Sequence, residues 1–322
     1  MEKYLSNWMR IIEEMHNDNT YKTAWGRGII ECISIGEYSV IEDKGIVKQS
    51  DIVNKMIKYY WNQTFFFGLT QGKSPVILKH INSMIDKYKT EVSTYPVPWN
   101  DVEQYFMEEN VTFYNKRVSA ILSNIRINVC PRFKNVSNSE TLDIYDIKDK
   151  EKLLIFQLKD IGILEDYGII LSKLLNYKWS QLLERFNTSP NITKKVKAAS
   201  DRKIRRSSLA KYKNLLLKYY HNQEIRDFYS GEIIDKKDIH IDHVIPWSFI
   251  YSDDIWNLVV TSSTNNLSKS NRPPTKTEIE KLELRNKELL KSLSGYETGF
   301  KKSIEYSLEH KTLNKLYVNM KG

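Results

Sequence analysis

The hydrophobic period of this chain changes part-way along it, and that change restricts the folds open to it. Up to about Asn187, apolar residues recur at helical spacing: Ile52 to Trp61, Val76 to Tyr88, Val102 to Phe106, and Val111 to Ile127, the last stopped by Cys130-Pro131. Pro96 and Pro98 interrupt Thr94 to Trp99. Leu153 to Phe186 predicts two helices, broken at Asp160-Ile-Gly-Ile-Leu-Glu-Asp166. From Asp227 the pieces are short. Phe228-Tyr229 and Ile233-Ile234 flank Ser230-Gly231-Glu232, the pattern of a tight hairpin with glycine in its turn. His240 to Ile245 reads as extended and is stopped by Pro246, and Trp256 to Thr261 is another short apolar run. Asn265 to Asn271 opens a helix ended by Pro273-Pro274, and amphipathic helices follow over Thr277 to Leu293 and Leu308 to Val318. The fold class is therefore α+β, mostly α. A mainly helical domain occupies 1–190, a basic connector helix 191–222, and a mixed domain with its core over 227–276 occupies 223–322.

The connector begins after the loop Thr188-Ser-Pro-Asn-Ile192. It carries Lys194, Lys195, Lys197, Arg202, Lys203, Arg205, Arg206, Lys211, Lys213 and Lys218, with Asp201 the one acid among them. Such a run is either a solvated helix face or a phosphate-contacting surface. Over all 322 residues, 49 Lys and Arg stand against 40 acids, a net +9 that suits a polyanionic partner. The two cysteines, Cys32 and Cys130, are too far apart for a CxxC pair and too few for a disulfide framework, so a reducing cytoplasm is expected. The start of the chain lacks the apolar core of a signal peptide, and no uncharged run approaches the roughly 18 residues of a membrane span. No membrane association is expected.

Chemistry concentrates in His240-Ile-Asp242-His243-Val-Ile-Pro246-Trp-Ser, which holds two of the six histidines. On a strand, residues 240 and 242 share one face and 243 takes the other. Asp242 and His243 therefore diverge unless the strand ends or twists there, and Pro246 predicts that it soon ends. Hydrolysis of a phosphodiester needs a base for the attacking water and positive charge for the phosphoryl oxygens and the leaving group. Histidine suits the first task, because it titrates near neutrality. A divalent ion held by one or two hard oxygens suits the second, with Asp242 and an asparagine as donors.

Residues 228 to 276 resemble the HNH, or ββα-metal, nucleases, and in particular bacterial restriction-type or anti-phage members. In that family an Asp-His pair ends one strand, an asparagine sits in the following loop, and a His or Asn nine residues later lies on the helix, with a lysine three positions beyond. The matching residues here are Asp242-His243, Asn257, Asn266 and Lys269. The resemblance implies that His243 is the general base, that Asp242 and Asn266 hold the metal (Mg²⁺, or Mn²⁺), and that Asn257 braces the loop. It makes His240 a supporting group or an extra ligand. Lys269 and Arg272, with Arg202, Lys203, Arg205 and Arg206 of the connector, are candidates for phosphate contact. Many members also carry two CxxC pairs around a structural zinc. Here those positions hold Asp227, Ser230, Ser262 and Asn265, so no structural zinc is expected and the fold must rest on hydrophobic contacts from Trp247, Trp256, Phe249 and the C-terminal helices.

The implied activity is metal-dependent hydrolysis of DNA, with RNA the lesser expectation, by a restriction-type or anti-phage endonuclease; double-strand cutting would require a homodimer or two visits. The alternatives are a nicking, homing or toxin nuclease acting on DNA or RNA, and a non-catalytic nucleic-acid-binding module. Other features carry less. Gly68-Leu-Thr-Gln-Gly72-Lys73-Ser74 is one residue short of a phosphate-binding loop. Val40 to Lys44 resembles half of an acid-x-Lys nuclease motif. Tyr59, Tyr60, Trp61, Phe65, Phe66 and Phe67 form either core or a base-stacking surface. Trp25-Gly26-Arg27-Gly28 reads as a turn with an exposed arginine.

Overall fold

The computed structural model describes residues 3–15, 19–72, 76–136, 140–201, 204–220, 224–293 and 298–321. The chain divides into two compact units: Met1–Asn187 with Ile192–Ile204, and Thr188–Asn191 with Arg205–Gly322.

The first unit contains α1 (Lys3–Glu14), α2 (Tyr21–Ser34), β1 (Ser39–Ile41), β2 (Lys44–Lys48), α3 (Gln49–Trp61), α4 (Val76–Glu91), α5 (Val111–Asn128), β3 (Asp146–Lys148), β4 (Leu153–Gln157), α6 (Leu158–Glu184) and α7 (Ile192–Ser200). Among the described residues the strands form one antiparallel sheet in the order β1-β2-β4-β3. This sheet adds strands to the mainly helical reading. Its central pair joins 44–48 to 153–157, a contact between segments about a hundred positions apart that local periodicity does not register. Leu153 to Phe186 is likewise not two helices. Its first five residues are β4, and the rest is one helix of 27 residues with Asp160 in its first turn. The acid there favours the positive end of the helix dipole, so it marks a start rather than a break.

Tyr59, Tyr60, Trp61, Phe65, Phe66 and Phe67 are all buried, which removes the base-stacking surface. Trp61 meets Phe65, Phe106, Tyr88 and Trp99 edge-on, with ring centroids 5.0 to 5.9 Å apart. The Trp25-Gly26-Arg27-Gly28 run is not a turn; it lies inside α2, and all four residues are buried. A Cβ at Gly26 would come within 2.7 Å of Phe133, and one at Gly28 within 2.7 Å of the Ile52 side chain. The glycines are there for close packing. Val40 to Lys44 is the β1–β2 hairpin, with Glu42 at φ +54°. Lys73 and Ser74 of the near phosphate-loop lie outside the described residues.

The second unit contains α8 (Ala210–Tyr219), β5 (His240–His243), α9 (Trp247–Ile250), β6 (Leu258–Thr261), α10 (Ser263–Lys269), α11 (Lys276–Ser292), α12 (Thr298–Glu309) and α13 (Thr312–Lys321). The connector is therefore not one helix: α7 ends at Ser200, α8 begins at Ala210, and 204–209 between them is irregular. Strands β5 and β6 pair antiparallel, with Asp242 opposite Val259 and His243 opposite Leu258. The core joins Leu215 and Leu216 of α8, Leu258 to Val260 of β6, and Ile279, Leu282 and Leu289 of α11, with Trp256, Ile304 and Leu313. Helix α11 starts on a capping box between Thr275 and Glu278. Farther along it, Arg285 donates to the Leu258 carbonyl at 2.7 Å and Asn286 to that of Trp256 at 2.8 Å, tying the helix to the approach of β6. No helix among the described residues is long and apolar enough to cross a membrane.

Candidate active site

Strand β5 ends at His243, and this end resolves the divergence of neighbouring side chains. Asp242, His243 and Asn266 line one cleft of about 200 Å³, shared with Arg206, Trp247, Ser270 and Asn271. The loop between β5 and β6 is fixed by Asn257, which is fully buried. Its Oδ1 accepts from the Ile245 N–H at 2.8 Å and its Nδ2 donates to the Ile245 carbonyl at 2.9 Å. Its own carbonyl accepts from the Val244 N–H at 3.0 Å. Asn257 thus reaches no substrate-facing atom; it supplies the backbone partners that two loop residues would otherwise lack. Helix α10 follows β6 directly. Ser262 caps it by accepting from the Asn265 N–H, which sets the turn that carries Asn266.

His243 is buried, and its Nε2 lies 2.9 Å from Asp253 Oδ1. A carboxylate accepts only, so Nε2 is the donor of this bond and Nδ1 is the ring nitrogen turned away from Asp253. Asp253 was missed by sequence reading; it sits in the loop with no motif spacing to flag it. Asp242 Oδ2 accepts from the Tyr229 hydroxyl at 2.5 Å and from Lys269 Nζ at 3.0 Å. Lys269 also donates to the His243 carbonyl. Burial pulls the Lys269 pKa down against the pull of Asp242. Burial likewise pushes the Tyr229 hydroxyl well above its ordinary range, and Asp242 adds to the effect.

The phosphate-contact candidates separate. Lys269 is buried in its ion pair, because a cation beside a half-buried carboxylate is held there, so it does not present itself to a phosphate. Arg272 pairs with Glu278 at 2.7 Å beside the α11 cap. Arg205 is exposed but does not line the cleft. Arg206 does line it, its guanidinium 5.1 Å from the Trp247 ring centroid. Desolvation lowers the Arg206 pKa while Asp242 and Asp253 oppose it, so the exposed side chain is nonetheless crowded by protein. Arg202 and Lys203 lie outside the described residues. His240 is half exposed, stands 3.6 Å from Asp238 and does not line the cleft. Among the described residues no three His, Cys, Asp or Glu side chains cluster as a metal site.

The four positions that the resemblance aligned with zinc cysteines converge on a carboxylate. Asp227 Oδ1 accepts from the N–H groups of Tyr229 (2.8 Å) and Ser230 (3.1 Å). Its Oδ2 accepts from the Ser262 N–H (2.7 Å), the Ser262 hydroxyl (2.9 Å) and the Thr261 hydroxyl (3.0 Å). Asn265 adds a side-chain bond. Burial alone would raise the Asp227 pKa, but these donors outweigh it and hold the carboxyl well below its usual range. Hydrophobic contacts are thus not the sole replacement for zinc.

Residues 227–275 match the HNH endonuclease family. This segment is an HNH endonuclease domain. A CRISPR-associated endonuclease Cas9 from Streptococcus mutans serotype c (strain ATCC 700610 / UA159) is 41% identical over 66 residues, which make up 20% of this chain. The chain spans only 5% of that protein's length. No solved structure matches the chain. The family match lies within the second unit.

Proposed function

We propose that this chain is a divalent-metal-dependent endonuclease that hydrolyses DNA. The observation that carries the reading is the meeting of Asp242, His243 and Asn266 on one small cleft, with His243 held by Asp253. His243 Nδ1, left without a proton, is the acceptor for a proton from the attacking water. Asp253 keeps the ring in that tautomer and stabilises the imidazolium that results. Asp242 has Oδ1 to offer, since Tyr229 and Lys269 engage Oδ2. Among the described residues nothing hydrogen-bonds the Asn266 side chain, so its amide oxygen is available as well. Two hard oxygen donors fit Mg²⁺, or Mn²⁺, which keeps several of its own waters. When bound, such an ion supplies charge stabilisation at the phosphoryl oxygens and the leaving alkoxide. Arg206, on the same cleft, orients the phosphate.

The likeness to a CRISPR-associated endonuclease supports DNA as the substrate and a restriction-type or anti-phage setting. Both cysteines are buried and free, which suits a reducing cytoplasm. One site cuts one strand per visit, so paired cuts call for a dimer. Supercoiled plasmid incubated with Mg²⁺, Mn²⁺ or EDTA tests the reading. Cutting is expected only with the ions, and His243→Ala should lose about 10²- to 10⁴-fold in rate. Cutting that persists in EDTA, or in the alanine variant, would overturn it.

A further inference from the structure

The first unit contains a cleft of about 1250 Å³ that the nuclease chemistry does not use. Arg27 of α2 lines it and is 8% exposed. Its Nε donates to Asn176 Oδ1 at 3.1 Å and its Nη1 to the Ser172 hydroxyl at 2.8 Å, both neutral acceptors on α6. Among the described residues Nη2 has no partner, and no carboxylate pairs with the guanidinium. The acids nearest in sequence are already engaged. Glu31 takes Lys58 at 2.6 Å and the Tyr59 hydroxyl at 2.5 Å, and Glu37 takes Lys55 at 2.8 Å. A buried guanidinium with neutral partners alone bears a desolvation cost that an anionic ligand would offset.

Helix α6 gives the cleft Ile169, Lys173 and Tyr177, spaced four apart and so on one stripe of the helix. The two apolar members are 70% and 60% exposed, so both are open to a ligand. Lys194 and Lys197 of α7 complete that side, and among the described residues neither ammonium, nor that of Lys173, meets an acid. Elsewhere in the lining, Asp51 and Glu103 offer acceptors. Asn54, whose Oδ1 takes the Tyr114 hydroxyl at 3.0 Å, keeps a free amide donor. Unpaired cations, an exposed aromatic ring and hydrogen-bonding edges together match a phosphate joined to a planar base.

We propose that this cleft binds nucleotide units, with phosphate on Arg27, Lys173, Lys194 and Lys197 and a base against Tyr177. The cleft exceeds the ~300–1,000 Å³ typical of a single small-molecule site, so it has room for more than one nucleotide. The ligand is either a free nucleotide or unpaired nucleotides of a DNA strand. This assignment does not rest on the HNH reading.

Isothermal titration of the full chain carrying His243→Ala, which reads binding without cleavage, tests it with deoxynucleoside monophosphates and with a short single-stranded DNA. Against the same charge change at exposed Lys116 and Lys150, the pair Lys194→Glu and Lys197→Glu should weaken binding at least tenfold. Arg27→Gln should do the same where circular dichroism shows it folded; the exposed lysine pair keeps the test valid if it is not. Binding of monophosphates that the cleft variants weaken supports a free nucleotide. Binding of the oligonucleotide alone, weakened in the same way, supports a strand. No binding of either probe, or equal weakening by cleft and control variants, overturns the proposal.

Discussion

Replacing Asp227 by alanine should cost the second unit as much as a large cavity in its apolar core. The carboxylate is 2% exposed and accepts from three backbone N–H groups, those of Tyr229, Ser230 and Ser262. The hydroxyls of Thr261 and Ser262 can turn to other acceptors, but the N–H groups cannot. Each stranded donor costs about 1–3 kcal/mol, less where water reaches it. The sum is of the order of 3–5 kcal/mol, as for breaking a buried charged network. With a urea slope near ~2 kcal/mol per M, the transition reporting on Trp247 and Trp256 should fall by roughly 2 M. The pH dependence has a definite sign. The folded pKa lies below the unfolded value of about 3.9, so the carboxylate's contribution is complete above that pH and drains away as the solution is acidified. Asp227→Asn should flatten this acid limb. The complementary variant places cysteine at 227, 230, 262 and 265 together; it should bind one zinc and regain stability only with the metal. A loss under ~1 kcal/mol in Asp227→Ala, or an unchanged acid limb in Asp227→Asn, would refute the reasoning.

Two further outcomes are expected. Asp253→Ala should lower kcat about 10- to 100-fold with little change in KM or melting temperature, because the ring loses its tautomer and not its substrate; unchanged steady-state cutting would count against that role. Gly28→Ala should destabilise the first unit by about 1–3 kcal/mol in thermal unfolding, since its Cβ would meet Ile52 at 2.7 Å, and a neutral result would mean that the helices adjust freely.

The elements that carry the candidate site were legible because the motif spacing follows theirs. An Asp-His pair before a proline, followed by asparagines at set distances, leaves few other arrangements, and β5, β6 and α10 fall where that pattern puts them. What spacing does not encode stayed hidden. Asp253 is an ordinary loop acid until the fold brings it to His243. Asp227 looked like an absent cysteine, whereas three dimensions show it surrounded by donors. The sheet of the first unit pairs three- to five-residue strands across distant segments, so it leaves no local period. Arg27 was misplaced because glycines on both sides normally signal a turn, and only Phe133 and Ile52 explain them inside a helix.

Lys269 sits inside the second unit with its charge on Asp242 and its proton donor on the His243 carbonyl. It shares Asp242 with Tyr229, while Asp253 holds the His243 ring, so the two residues are fixed from three sides. One ammonium thus couples the carboxylate to the end of the strand, and its removal would loosen both at once.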